Sequence, residues 1–215
     1  MRKNKVKTWS LSSLQSYETC PQKWYEERFG GHQRTSSPAL ERGVAVHAKA
    51  EQYLLGNVTG MPKDMAKFST EFVNLKKHNA IAEEEWCLDR HWQPVANGWS
   101  HPDTWLRAKG DARVGNYIID FKTGRQYEDK HRDQAKLYSN ILMCYEPTFD
   151  EVDVEFWYLD SGKTASYKFF RTSLEADIGV WEARVSRMFR DKHFLPSENQ
   201  YCKWCAFNES CELFK

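Results

Sequence analysis

A chain of 215 residues with 40% hydrophobic and 28% charged residues is long enough to bury a good core, and its length suits one domain. A formal net charge of +1 excludes nucleic-acid binding through a whole-protein field, so any such binding needs a local basic surface. No run of about 18 apolar residues occurs, and the basic start MRKNKVKTWSLSSLQ has no apolar stretch behind it, so a soluble cytoplasmic protein with no membrane contact is expected.

In chain order, Leu11, Leu14 and Tyr17 predict a helix over 10–25 that Pro21 breaks or restarts. GGHQRTSSP, residues 30–38, reads as a loop, and Ala39 to Leu55 as a second helix. Gly56, Gly60 and Pro62 end it, and a third helix is expected over 65–78. From Glu83 the pattern changes to strands: EEEWCLDRHW, TWLRAKGDARV and NYIIDFKT. A helix over 128–143, a hairpin of EVDVEFWYLD and KTASYKFFR around Ser161-Gly162, and an amphipathic helix over 174–192 complete the order. Helices, strands, helix, strands, helix imply an α/β or α+β domain with a central mixed sheet flanked by helices. Residues 1–80 form its helical part, 81–192 its sheet-bearing core and 193–215 a cysteine-rich tail.

Gly115-Asn116 suits a two-residue hairpin loop, which makes opposed residue numbers sum to 231. Asp111 then faces Asp120, Lys122 shares their face with Lys109 opposite it, and Phe121 turns the other way. Facing carboxylates are tolerated if one is protonated, if cations neutralise them, or if a divalent metal sits between them. An exposed charged face is the bland alternative. Against it, IIDFKTG is apolar up to its acid, as in a strand covered on both faces.

Gln134 and Tyr138 lie four apart on one helix face, and His47 lies one helical turn past Gly43. Cys202, Cys205 and Cys211 put three thiols within ten residues, a metal or cluster signal, with Cys20 as the candidate fourth; Cys87 and Cys144 sit in apolar contexts and read as buried thiols. Glu83, Glu84 and Glu85 open a strand near the acids, and one of them is a candidate metal or water contact.

His47, Asp111, Asp120-Phe121-Lys122 and Gln134-x-x-x-Tyr138, taken in order, resemble the motif series of RecB-type nucleases of the PD-(D/E)XK superfamily. With the four cysteines, the pattern is similar to the iron-sulfur branch that includes AddB and CRISPR-associated RecB-like nucleases. The resemblance implies a nuclease core whose N- and C-terminal ends are joined by a cysteine-ligated cluster. It implies Mg²⁺ or Mn²⁺ at His47, Asp111, Asp120 and the Phe121 carbonyl. It gives Lys122 the attacking water to orient or activate, and Gln134 and Tyr138 the support of the site and the DNA strand. It implies a 4Fe-4S cluster at Cys20, Cys202, Cys205 and Cys211, where soft thiolates could also take zinc. The second acid is Asp120 where many iron-sulfur relatives carry Glu.

The expected activity is DNA exonuclease cleavage, with preference for single strands or ends, in recombination, replication or CRISPR-type DNA processing. A catalytically idle nucleic-acid-binding module and an endonuclease are the alternatives. Trp24, Tyr25, Arg125, His131 and Arg132 are candidate DNA contacts, with core packing as the bland reading of the two aromatics. No GxxxxGK[ST] motif is present, so any helicase, recombination or CRISPR adaptation partner is a separate polypeptide.

Overall fold

The computed structural model describes residues 4–31 and 36–214, so residues 32–35 of the expected loop lie outside it. Two compact units emerge: Met1–Thr35 with Ile178–Lys215, and Ser36–Asp177.

In the first unit, α1 (Leu11–Thr19) begins at Ser10, whose hydroxyl accepts the Ser13 N–H. Cys20 takes an extended backbone that ends α1, and Pro21 restarts the chain as α2 (Pro21–Phe29) at the helix position where its missing N–H costs nothing. The Trp9 ring packs near that of Trp181, and Tyr17 donates to Asp191 at 2.8 Å.

The second unit is built on α3 (Pro38–Leu54), α4 (Ser69–Lys77), α5 (Glu128–Tyr145) and five strands. The strands are β1 (Ile81–Leu88), β2 (Leu106–Val114), β3 (Tyr117–Lys122), β4 (Glu151–Tyr158) and β5 (Lys163–Phe170). They form one sheet in the order β1-β2-β3-β4-β5, with β3 and β4 parallel and the other neighbours antiparallel. The parallel pair needs a long crossover, and α5 provides it. The expected mixed sheet flanked by helices is therefore the observed one. The last helix, α6 (Leu174–Arg190), begins in the second unit and continues in the first.

Two elements differ from the pattern reading. The third helix begins as a tighter 3-10 turn over Lys63–Phe68 before α4. The first strand ends at Leu88 and does not reach Trp92, because Asp89 Oδ1 accepts the N–H groups of His91 and Gln93 and turns the chain.

Alternation along β3 sets its two faces. Ile119 and Phe121 join Val46 and Ala50 of α3, Phe72 of α4 and Trp157 of β4 in one core cluster. Ile118 and Asp120 point to the opposite face, where α5 packs against β4. Ile118, Ile119, Asp120 and Phe121 are all buried, as their apolar context implied.

Gly110 precedes the first acid for a packing reason. A Cβ there would come within 2.5 Å of Trp86 Cη2, an indole that is itself buried. Gly110→Ala should therefore destabilise the fold by about 1–3 kcal/mol through overpacking. Urea unfolding checks this: the cost should shrink when Trp86→Leu is made alongside, and an unchanged cost would count against the contact.

Candidate metal centre

The hairpin β2–β3 has the register that its turn implied: Val114 pairs with Tyr117, Arg113 with Ile118 and Ala112 with Ile119, each summing to 231. Gly115 takes the turn at φ +57°. The ladder then stops one residue short of the two acids. Instead of continuing it, Asp111 turns its carboxylate inward, and Oδ2 accepts the Phe121 N–H at 2.6 Å. The strands thus part where the acids lie. On the other side of β2 the pairing runs on, through Glu84–Gly110 and Glu85–Lys109.

Into this opening α3 brings His47, whose Nδ1 lies 2.9 Å from Asp111 Oδ1. Glu83 completes a group: donor atoms of His47, Glu83 and Asp111 all lie within 4.8 Å of one another. Of the three consecutive glutamates, the structure singles out this one. Glu83 has φ +52°, a left-handed conformation that costs a non-glycine residue energy and interrupts the strand where its carboxylate meets the site. Nothing in the sequence announces that kink. The flanking pairs Ala82–Ala112 and Glu84–Gly110 hold it in place.

Asp120 approaches from the α5 face. Its Oδ2 accepts from Gln134 Nε2 at 2.7 Å, and Gln134 Oε1 accepts from Lys122 Nζ at 2.8 Å. Gln134 Nε2 also donates to Tyr138 Oη, and that hydroxyl donates to the Lys109 carbonyl at 2.7 Å. The spacing of four thus places both side chains in one hydrogen-bonded chain. Asp120 Oδ1 is buried and receives no well-directed hydrogen bond; the Lys122 ammonium stands 2.5 Å away as an ion pair. Lys109, expected beside Lys122, instead ion-pairs with Glu83 at 2.6 Å, since the strands have already parted there.

Burial chiefly pushes the Asp120 carboxyl up to about 6; the Asp111 charge adds to this, and Lys122 and His47 partly offset it. For His47, burial works to lower the imidazole, but the Asp111 hydrogen bond and the charges of Asp111 and Asp120 outweigh it and the net shift is upward. Burial, with the two aspartates, holds the Tyr138 hydroxyl well above its usual range, so it stays protonated. Two carboxylates and an imidazole beside a buried carboxylate oxygen without a good donor form a hard, oxygen-rich donor set, which suits a divalent cation such as Mg²⁺ or Mn²⁺.

The family model for the PD-(D/E)XK nuclease superfamily matches residues 8–114 and 106–212. The chain belongs to this superfamily. No curated protein matches it. Among solved structures, the crystal structure of SSO0001 is similar at 18% identity with a TM-score of 0.51, covering 99% of this chain and 88% of that one. That likeness speaks for the fold. Membership makes this a metal-dependent nuclease family, with DNA as the implied substrate, and the group of His47, Glu83 and Asp111 could hold a metal ion.

The other candidate residues fall in several places. Cys20, Cys202, Cys205 and Cys211 are half-buried and line one cavity of about 70 Å³ in the first unit. Cys20 Sγ accepts the Lys23 N–H at 3.5 Å and Cys202 Sγ the Asn199 N–H at 3.3 Å. Cys87 is buried, and burial raises its thiol; Cys144 is half-buried and pushed up to about 11 by burial, so both stay neutral thiols. Arg125 and Arg132 are exposed. Trp24 is not: it is buried, donates to Ser13 Oγ at 3.0 Å and stacks on Phe194, while Tyr25 packs against Phe194 and Phe29. His131 is also interior, stacked on Phe156 with Nδ1 2.5 Å from Tyr158 Oη. Both Trp24 and His131 spend their ring faces on the protein, which leaves no face for a nucleobase. Among the described residues no helix is long and apolar enough to cross a membrane.

Asp120 has a folded pKa of about 6 against an ordinary 3.8, so its protonated form is the one the fold favours. Its contribution to stability is therefore lost as pH rises through that window. Asp120→Asn, which keeps the shape without the charge, should melt higher than wild type near pH 7.5 in EDTA, with the gap narrowing as pH falls through about 6 and closing toward about pH 4. Differential scanning fluorimetry across that range reads the gap, and a gap that stays constant with pH would contradict the assignment.

Proposed function

We propose that the chain acts as a metal-dependent DNA exonuclease preferring single strands or DNA ends. The observation that carries the reading is the arrangement of the two acids: Asp111 held between His47 and the Phe121 N–H, with the buried Asp120 Oδ1 facing Lys122. His47, Asp111, Asp120 and the Phe121 carbonyl would hold the ion, and Glu83 would join them, since its carboxylate stands within 4.8 Å of the His47 and Asp111 donors. A bound Mg²⁺ or Mn²⁺ supplies a Lewis acid for the phosphate and acidifies a water.

The residues do the rest. Gln134 fixes the Lys122 ammonium, which presents positive charge to the phosphate and orients the attacking water. Water oxygen attacks phosphorus and gives up a proton to solvent, the bond to the leaving sugar oxygen breaks, and that oxygen takes a proton from solvent. Tyr138 Oη accepts from Gln134 Nε2, and its raised pKa keeps the proton that it donates to the Lys109 carbonyl across physiological pH. Arg125 and Arg132, both exposed, are available to phosphates of the bound strand.

We assign Cys20, Cys202, Cys205 and Cys211 a 4Fe-4S cluster. All four cysteines line one pocket of about 70 Å³, as a shared ligand of their thiolates requires. Backbone N–H groups on the Cys20 and Cys202 sulfurs are the kind of contact that stabilises cluster thiolates. Joining Cys20 to Cys202 would close a loop of about 180 residues and make the cluster part of folding stability. In this reading the whole chain works as one cytoplasmic nuclease domain, in recombination, replication or CRISPR-type DNA processing beside a separate helicase or adaptation protein.

Asp120→Ala and Lys122→Ala should each lower Mn²⁺-dependent cleavage of end-labelled oligonucleotides by at least about 100-fold. Covalently closed circles should resist the wild type; cutting them would make it an endonuclease, and wild-type inertness on every substrate would make it a binding module. Anaerobically purified protein should be brown with iron at the cysteines, and stoichiometric zinc in a colourless protein would overturn the cluster.

A further inference from the structure

The metal centre opens into a cavity of about 510 Å³ whose lining mixes charged and apolar side chains. The charged and ligating part is His47, Glu83, Asp111 and Lys109. On the same face of α3 as His47 the cavity is also lined by Leu40 and Val44, 51% and 64% exposed. Both apolar side chains stand open to water on a helix that packs into the core through Val46 and Ala50 on another face. Their positions follow from helix geometry. Val44 and Leu40 precede His47 by three and seven residues, so they stand about 4.5 and about 10 Å from it along the axis. Between them Gly43 leaves a notch, where a Cβ would meet Thr123 Oγ1 at 3.4 Å.

We propose that Leu40 and Val44 form a wall that receives unpaired bases of the strand whose phosphate lies at the metal centre. The inference rests on the nuclease reading and adds to it the residues that select the substrate. A nucleotide is itself two-sided, an anionic phosphate joined to a flat apolar base. With the phosphate beside the His47–Asp111 pair, a base falls within the reach of Val44, and that of a neighbouring nucleotide within the reach of Leu40. Stacked and paired bases of a duplex offer only their edges to a protein surface, so an apolar wall gains contact area only from a single strand or a frayed end. Lys109 and Thr123, on the same cavity, are placed for the backbone.

The test is fluorescence anisotropy with Ca²⁺ in place of the catalytic ion, using a labelled single strand, the same strand with abasic sites, and a duplex. Wild type should bind the normal strand on the order of 5-fold more tightly than the abasic one, from the apolar area that a base buries against the two aliphatic side chains. Leu40→Ser with Val44→Ser should bring that ratio to near one with abasic binding unchanged, and Leu40→Met with Val44→Ile, which keeps an apolar wall, should preserve it. The wall is overturned if the serine variant retains the base preference, or if wild type binds normal and abasic strands alike while still cleaving DNA. Wild type that neither binds nor cleaves any strand overturns the nuclease reading itself, and the wall with it.

Discussion

Two buried carboxylates of like charge, Asp111 and Asp120, set the terms for everything around them. Neither can be desolvated alone without large cost, and each raises the cost of the other. The protein spreads the burden: Asp111 takes a backbone N–H and an imidazole, and Asp120 takes an amide and an ammonium. One oxygen, Asp120 Oδ1, remains without a well-directed donor in the interior. A cluster of carboxylates with an incompletely hydrogen-bonded buried oxygen is one that a divalent cation can complete, and membership in a metal-dependent nuclease superfamily agrees.

The sheet makes this possible by opening. While β2 and β3 are paired, the two faces of the sheet are separate compartments, one filled by α3 and α4 and the other by α5. Where the ladder stops at Ala112–Ile119, side chains from both compartments meet: His47 comes from α3, and Gln134 and Tyr138 answer from α5. Glu83 reaches the same place because its strand kinks at a positive φ. Strain of that kind is held by well-paired neighbours on either side, and it is concentrated where the chemistry is.

Much of this was legible in the sequence because it depends on local rules. A two-residue turn at Gly115-Asn116 fixes the hairpin register by arithmetic, alternation fixes which side chains share a face, and a spacing of four joins Gln134 to Tyr138. The mixed sheet followed from the order of periodic segments. What escaped depends on tertiary competition. The ladder ends early because a carboxylate outcompetes a carbonyl for the Phe121 N–H, and Lys109 turns to Glu83 because the strands have parted. Trp24 and His131 carry the residue types of a DNA surface, yet both are buried, which only packing could decide. Leu40 and Val44 were invisible for the opposite reason: apolar residues on a helix read as core until their exposure is known.

The most direct test of the account is whether the opened strand pair binds a divalent ion. Isothermal titration of Mn²⁺ into the metal-free protein should give one site per chain in the second unit, lost in Asp111→Asn and weakened in Glu83→Gln. Equal Mn²⁺ binding by wild type and Asp111→Asn would show that the parted strands hold no metal, and the account of the buried carboxylates would fail.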